Sequence, residues 1–452
     1  MNSRKKNISP LIKMEYGKRL NPERSLRTPR GVKGSRQKVI VTHNPSEIDQ
    51  NQLLLVRFPN LGGDDVIIPG TANLSFDIEL VSKADTKRTL VSNIGRAIVK
   101  KLAVKFEGNE ILSIDDFDIF ACYRDLWKTK SEKRNAIRQG IIFNDGCTEN
   151  CMKLRLAAAD KDAEDAEDKA IADAYKNKFI IPLDFEMLDS TIPYYQAGLG
   201  HRLCYEITFN NYDRVIKSTP AKPSGASTVP SPDAKYKISN ISLEYEIVTQ
   251  PTLARHIASE YQNMALLYDR VLRHRQIRVN KSDTTWNWSF NTPCKSLKGI
   301  LVLFEEEEPY KRNTSRFYNP KIQKVSVIVE GKPNQLFAQG MQPFEHYQEI
   351  SKYFAEGKQR DNNANEIQKH LQLHDVKVSD YLTDKYALWL DFRTIDENAL
   401  HGTGRRIENA SEGITLQIEK KGEADGNLNA YIYLIMDAQL NIQNGDFISA
   451  LY

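Results

Sequence analysis

The chain of 452 residues carries 63 Lys and Arg against 59 Asp and Glu, a formal charge of +4, and its length implies two or three domains with room for buried cores. No run approaches the ~18 apolar residues of a membrane-spanning helix, and the basic N-terminal region lacks the apolar stretch of a secretory signal. Cys122, Cys147, Cys151, Cys204 and Cys294 are odd in number and scattered, which fits reduced thiols in an intracellular compartment better than a disulfide framework.

The positive charge is concentrated at one end. Residues 1–40 hold twelve cations: Arg4, Lys5, Lys6, Lys13, Lys18, Arg19, Arg24, Arg27, Arg30, Lys33, Arg36 and Lys38. Only Glu15 and Glu23 oppose them, so this stretch is +10 and the rest of the chain is −6. Residues 1–45 have almost no periodic apolar pattern and contain Pro10, Pro22 and Pro29, which predicts an arm that is disordered or extended until it meets a partner.

From Gln52 the pattern turns to β. LLLVRF runs to a turn at Asn60–Asp64, and Leu74, Phe76, Ile78 and Leu80 alternate on one face of the next long strand. Ile98–Phe106 follows. Ser113–Lys130 then reads as a helix, with Phe117, Phe120, Ala121, Arg124 and Trp127 at helical spacing and Ser113 and Asp116 as candidate caps. Met152–Asn177 is Ala-rich, charged and free of Gly and Pro, the composition of a solvated helix inserted in a loop. Thr219–Asp233 is rich in Pro, Ser and Gly and reads as a flexible loop. The apolar stripe Leu253, Ile257, Tyr261, Met264, Leu267, Leu272 predicts a connecting helix within 249–275, closed by the basic residues Arg270, Arg273, His274 and Arg275. A second β set occupies 276–452, with its own helix at Phe344–Ala355.

The two sets are copies of one unit. Lys100–Trp127 and Gln323–Phe354 each run from an alternating strand through a Glu-Gly pair to a short strand and an aromatic helix, and Gly108 and Gly331 are 223 residues apart. The order continues outside that stretch. Leu74–Leu80 matches Gly299–Glu305, Ile181–Phe185 matches Leu388–Phe392, Leu203–Phe209 matches Ile414–Lys420, and Ile241–Val248 matches Tyr431–Ala438. A repeat this long is domain-sized. About eight short strands and one helix per half suggest a sandwich or barrel, and a pair of tandem eight-stranded jelly rolls at 46–248 and 276–452 is a main candidate.

No catalytic apparatus is legible. His370-x3-His374-Asp375 lacks the Glu of a zincin and sits in a polar segment, which favours a solvated loop. Cys147-x3-Cys151 has no second Cys/His pair at a matching spacing. Gly402–Arg406 lacks the strand-to-helix context of a phosphate loop and reads as a turn. The run Glu305–Glu308 reads as a solvated or interface rim. Asp184 and Asp391 are the best pair for a carboxylate metal site, but their repeat-related positions argue for a shared structural role. Tyr194, Tyr195, Trp286 and Trp288 suit either subunit contacts or a core.

Lys178–Phe209 (KFIIPLDFEMLDSTIPYYQAGLGHRLCYEITF) resembles a segment of the first jelly roll of double jelly-roll major capsid proteins of large eukaryotic DNA viruses. Arg316–Phe354, Tyr386–Lys421 and Asn429–Phe447 are similar to capsid proteins of Polinton/Maverick elements and adintoviruses. The resemblance spans about residues 50–452. It implies an all-β double jelly roll with a few helices, and a virion structural protein assembled inside a host cell. It also implies a homotrimer of pseudo-hexagonal outline that tiles an icosahedral shell around double-stranded DNA. Neighbouring capsomers, penton and minor capsid proteins would be its partners, with genomic DNA or an internal membrane as the partner of the arm. No catalytic residue, metal or cofactor is carried over. Two other classes stay open: a receptor- or carbohydrate-binding β-sandwich spike or fibre protein, and a nucleic-acid-processing enzyme that uses the arm for substrate.

Overall fold

A computed structural model of the chain describes residues 33–42, 47–81, 86–106, 108–141, 178–185, 188, 194–200, 202–220, 235–307, 313–333, 342–355, 374, 376–393, 404–408 and 413–451. Met152–Asn177, His370 and nine of the twelve arm cations lie outside these residues.

Eight strands build the first half: β1 Lys33–Ile40, β2 Leu53–Arg57, β3 Asn73–Val81, β4 Val99–Phe106, β5 Asn109–Asp115, β6 Lys178–Pro182, β7 Leu203–Phe209 and β8 Lys235–Thr249. Eight more build the second: β9 Asn263–Val279, β10 Thr285–Phe290, β11 Cys294–Glu306, β12 Ile322–Val329, β13 Lys332–Pro333, β14 Ala387–Asp391, β15 Ile414–Lys420 and β16 Leu428–Gln443. Helix α1 is Phe117–Leu126, α2 is Pro251–Glu260 and α3 is Pro343–Phe354. The first half pairs as β1-β8-β3-β6 and β2-β7-β4-β5, all antiparallel. The second pairs as β9-β16-β11-β14 and β10-β15-β12-β13. Adding eight to each strand number converts one order into the other. Both halves are therefore eight-stranded jelly rolls with the same topology, and short strands such as Asp65–Ile67 and Arg405–Ile407 extend them.

The patterning follows from one buried face per strand. In β2 the alternation puts Leu54 and Val56 inward, and in β10 it puts Trp286, Trp288 and Phe290 inward. Glu330 (φ 50) and Gly331 (φ 74) both take left-handed conformations, as a two-residue hairpin turn between β12 and β13 requires. Gly108 turns the equivalent β4–β5 hairpin, closed by its own N–H on the Phe106 carbonyl at 2.8 Å. The repeat-related glycines thus hold the same hairpin in each copy.

Three sequence expectations need correction. First, the leading strand of the first jelly roll is β1, inside the stretch read as arm. Second, the connecting helix ends at Glu260, and the stripe beyond it is strand β9. Leu253, Ile257 and Tyr261 have helical spacing, but from Asn263 the ladder with β16 supplies sixteen residues of pairing partners and overrides that period. Arg270, Arg273 and Arg275 consequently lie on a strand and not at a helix C-terminus. Third, the repeat register shifts by three residues along β3 and β11. Leu74 lies opposite Ile181, but Leu388 lies opposite Val302 and not Gly299. Strand β11 is nearly continuously buried, so alternation carries no parity there. Gly299 serves a different need: a Cβ on it would stand 2.2 Å from the Trp389 ring.

Candidate functional site

The two jelly rolls share one continuous apolar core. Their junction is built by α1 and β5 of the first against β9, β11, β16 and α3 of the second. Trp127, fully buried just past the end of α1, stands with its ring centroid 6.2 Å from Tyr347, 6.5 Å from Phe354, 6.5 Å from Tyr381 and 5.1 Å from His374. Phe120 meets Tyr433 at 5.5 Å and Tyr123 meets Phe317 edge-on at 5.0 Å. Rings at these separations add to the apolar area they bury.

Polar groups lock the same junction. Tyr433 donates its hydroxyl to the Asp116 carbonyl at 2.8 Å, Tyr268 to the Ile111 carbonyl at 3.0 Å, and Thr314 to the Ser92 carbonyl at 2.7 Å. Arg273 pairs with Asp116 at 2.8 Å. Arg214 reaches Asp118 at 3.2 Å and Glu305 at 2.8 Å. Glu305 is 3 % exposed, so the first residue of the Glu run is a buried partner across the junction and not a rim group.

Beside this junction is a cavity of about 1070 Å³, lined in part by Arg96, Arg124, Lys128, Asp184, Lys298 and Arg393. Its cations are neutralised in place. Arg96, itself 1 % exposed, pairs with Asp125 and Asp184. Arg124 reaches Asp184 at 2.6 Å and Lys128 reaches Asp125 at 3.0 Å. Burial alone would push the Asp125 carboxyl up. The charges of Lys128, Arg96 and Arg124 outweigh it and hold Asp125 well below the usual carboxylate range. Asp184 is lowered in the same way, by Arg96, Arg124 and Lys128 against desolvation.

Each carboxylate of the best metal-site pair is taken by a guanidinium. Asp184 belongs to the network above, and Asp391 is held by Arg393 at 2.6 Å. Asp184 stands two residues past β6 and Asp391 is the last residue of β14, so both anchor the ends of equivalent strands, the shared structural role that the repeat implies. Among the described residues no group of three or more His, Cys, Asp and Glu is placed to hold a metal. Of the stretch Gly402–Arg406, residues 402 and 403 lie outside the described residues; the Gly404 N–H is spent on Ser296 Oγ at 2.8 Å, and Arg405 and Arg406 belong to the short strand Arg405–Ile407. Tyr194, Tyr195, Trp286 and Trp288 are all buried, so none of them offers a surface for a glycan or a partner. Cys122, Cys204 and Cys294 are buried free thiols.

Of the sequence-predicted contact residues, Arg4, Lys5, Lys6, Lys13, Lys18, Arg19, Arg24, Arg27 and Arg30 lie outside the described residues. Lys33, Arg36 and Lys38 are on β1. Arg36 pairs with Glu246 at 2.6 Å and Lys38 with Glu244 at 3.3 Å, both on the neighbouring β8. Sequence reasoning missed Arg96, Asp125 and Arg214. The available signal was Arg96 itself, a cation inside the apolar run Ile94–Val99, which has to find a buried partner.

No protein-family model and no curated protein matches this sequence. Solved structures do. The Sputnik virophage structure matches with TM-score 0.55 and 11% identity, over 95% of this chain and 92% of that one. The PBCV-1 virus capsid matches with TM-score 0.54 and 12% identity, over 94% and 98%. The Faustovirus major capsid protein matches with TM-score 0.54 and 9% identity, over 93% and 92%. The chain has the double jelly-roll fold that these viral capsid proteins share.

Proposed function

We propose that this chain is a viral major capsid protein, a structural subunit and not an enzyme, whose pseudo-hexagonal trimers tile an icosahedral shell around a double-stranded DNA genome. The observation that carries this reading is the fusion of two jelly rolls of identical strand order into one body. Two such wedges per chain and three chains per ring give six similar units, so one protein fills a hexagonal lattice position. The full-length match to solved capsid structures supports it. The likeness of Arg316–Phe354 and Tyr386–Lys421 to Polinton/Maverick and adintovirus proteins supports an origin among such elements. Neighbouring capsomers and penton and minor capsid proteins are the partners in the shell, which is assembled in the host cell. Light scattering of the folded chain is expected to return the mass of three chains, and a monomer at every concentration would sink the reading.

The arm is the second half of the proposal. With Lys33, Arg36 and Lys38 on β1, residues 1–32 keep nine cations against Glu15 and Glu23, a net +7. A tail of that charge on an acidic body is drawn to phosphate, so the arm faces the particle interior and meets DNA or anionic lipid there. Binding of the intact chain to duplex DNA or to phosphatidylserine vesicles should fall on the order of 10³-fold between 50 and 200 mM salt for DNA. Removing residues 1–32 should abolish both while leaving the trimer. Equal polyanion binding by the truncated chain would exclude the arm as the site.

A further inference from the structure

The cavity beside the junction is built as a ligand site, and we propose that it takes up a single-chain anionic amphiphile: an apolar chain ended by a carboxylate or a phosphate monoester. Its volume of about 1070 Å³ stands at the upper end for small-molecule sites, which run to about 1,000 Å³. Residues of both jelly rolls line it, so the site lies within one chain and does not depend on the trimer.

One side of the cavity is apolar. Leu102 of β4, Leu112 and Ile114 of β5, Phe120 of α1 and Val271 of β9 line it, each between 3% and 6% exposed. Such a wall holds water poorly, and an apolar chain laid against it is favoured by the area both remove from water.

The other side is polar and short of an acceptor. Arg124 near the end of α1 and Lys128, two residues past that end, stand about one helical turn apart. Gln139 comes to them from the turn Ile137–Gln139. Gly140 (φ 80) ends that turn against Ile94, where a Cβ would stand 2.7 Å from Cγ2, so the position of Gln139 is fixed by packing. Gln139 is 1% exposed, and its Oε1 accepts from Lys128 Nζ at 3.5 Å. Its Nε2 has no hydrogen-bond partner among the described residues. A buried donor without an acceptor costs the fold the desolvation of that group, and one that lines a cavity calls for an acceptor from outside the chain.

Charge selects an anion. Arg96, Arg124 and Lys128 share two carboxylates, Asp125 and Asp184. Burial pushes the Lys128 ammonium below its ordinary range, and Asp125 does not restore it against Arg96 and Arg124. The other lining carboxylates are engaged elsewhere, Asp269 with Lys298 at 2.7 Å and Glu132 with the Thr129 N–H at 2.7 Å. Arg393 is matched by Asp391. One negative charge placed at Gln139 Nε2 and Lys128 therefore balances the three cations and satisfies the open donor, with its chain on the apolar wall.

Isothermal titration of the full-length chain with oleate, oleoyl lysophosphatidic acid and oleyl alcohol, all below their micelle concentrations, tests the site. One molecule of oleate or of the lysophosphatidic acid should bind per chain and raise the melting temperature with concentration. The tighter of the two identifies the head group. Oleyl alcohol, and the anion on Gln139→Leu or Arg124→Gln, should each bind at least about tenfold more weakly, the size expected for one charge-assisted hydrogen bond. Both variants should keep the ligand-free melting temperature, since one removes an unpartnered donor and the other leaves Asp184 to Arg96. If one of them fails to fold, the other decides. Leu53→Ser, at an exposed apolar side chain that does not line the cavity, should change nothing. Alcohol binding as tight as the acid, several molecules per chain, or binding that resists both variants overturns the site. So does no uptake, which means that water or the chain's own residues fill the cavity. A trimer that takes up no amphiphile removes this site alone, and uptake by a chain that is always monomeric removes the capsid reading alone.

Discussion

Trp127→Ala is expected to lower the unfolding free energy by about 3–5 kcal/mol, the range for deleting a large buried aromatic side chain. The ring is fully buried and fills the space between α1, which starts in the first jelly roll, and Tyr347, Phe354 and Tyr381 of the second. Its loss removes packing from both halves at once. Because the apolar core runs through the junction without a break, the variant should still melt in a single cooperative transition at a lower temperature. Calorimetry checks this. Two separated transitions, or a loss under about 1 kcal/mol, would mean that the jelly rolls are independent bodies and that Trp127 is not what joins them.

Arg96→Met is the other large effect, expected to cost about 3–5 kcal/mol at neutral pH because it leaves buried Asp125 short of a cation. The pH dependence gives the argument its sign. Asp125 has a folded pKa depressed below its unfolded value, so its pairing stabilises the fold above the ordinary aspartate pKa of about 4 and that stability drains away as pH falls below it. Asp184 acts in the same direction but is a third exposed at the cavity, so its share is smaller. The gap between wild type and Arg96→Met should therefore narrow as pH falls below about 4, where the unfolded chain takes up a proton that Asp125 of the folded wild type still refuses. The double variant Arg96→Met/Asp125→Asn should recover part of the loss. Denaturant titrations at several pH values would show it, and a gap that stays constant down to acid pH would rule out the buried pair as the cause.

Much of this architecture is legible in the amino-acid order, because each jelly-roll strand buries one face and writes that as alternation. The helix α3 and the hairpin glycines Gly108 and Gly331 are legible for the same local reason: a Glu-Gly turn and an aromatic helical stripe depend on nearby residues. What stays hidden depends on residues far away. Strand β1 reads as arm because KGSRQKVI buries little and owes its conformation to β8, more than two hundred residues on. Strand β9 reads as the end of a helix because its apolar residues satisfy both periods over a short window, and only β16 decides between them. Glu305 reads as rim because nothing local announces Arg214, ninety-one residues before it. The register slip along β11 has the same root, since a strand covered on both faces carries no alternation to count.

Negative-stain imaging of the purified, folded chain puts the central claim to its most direct test. Two equivalent jelly rolls per chain, joined head-to-tail through three copies, predict class averages with a closed, six-lobed hexagonal outline and a mass of three chains. Two-lobed particles of single-chain mass at all concentrations, or open chains of lobes that never close, would contradict it.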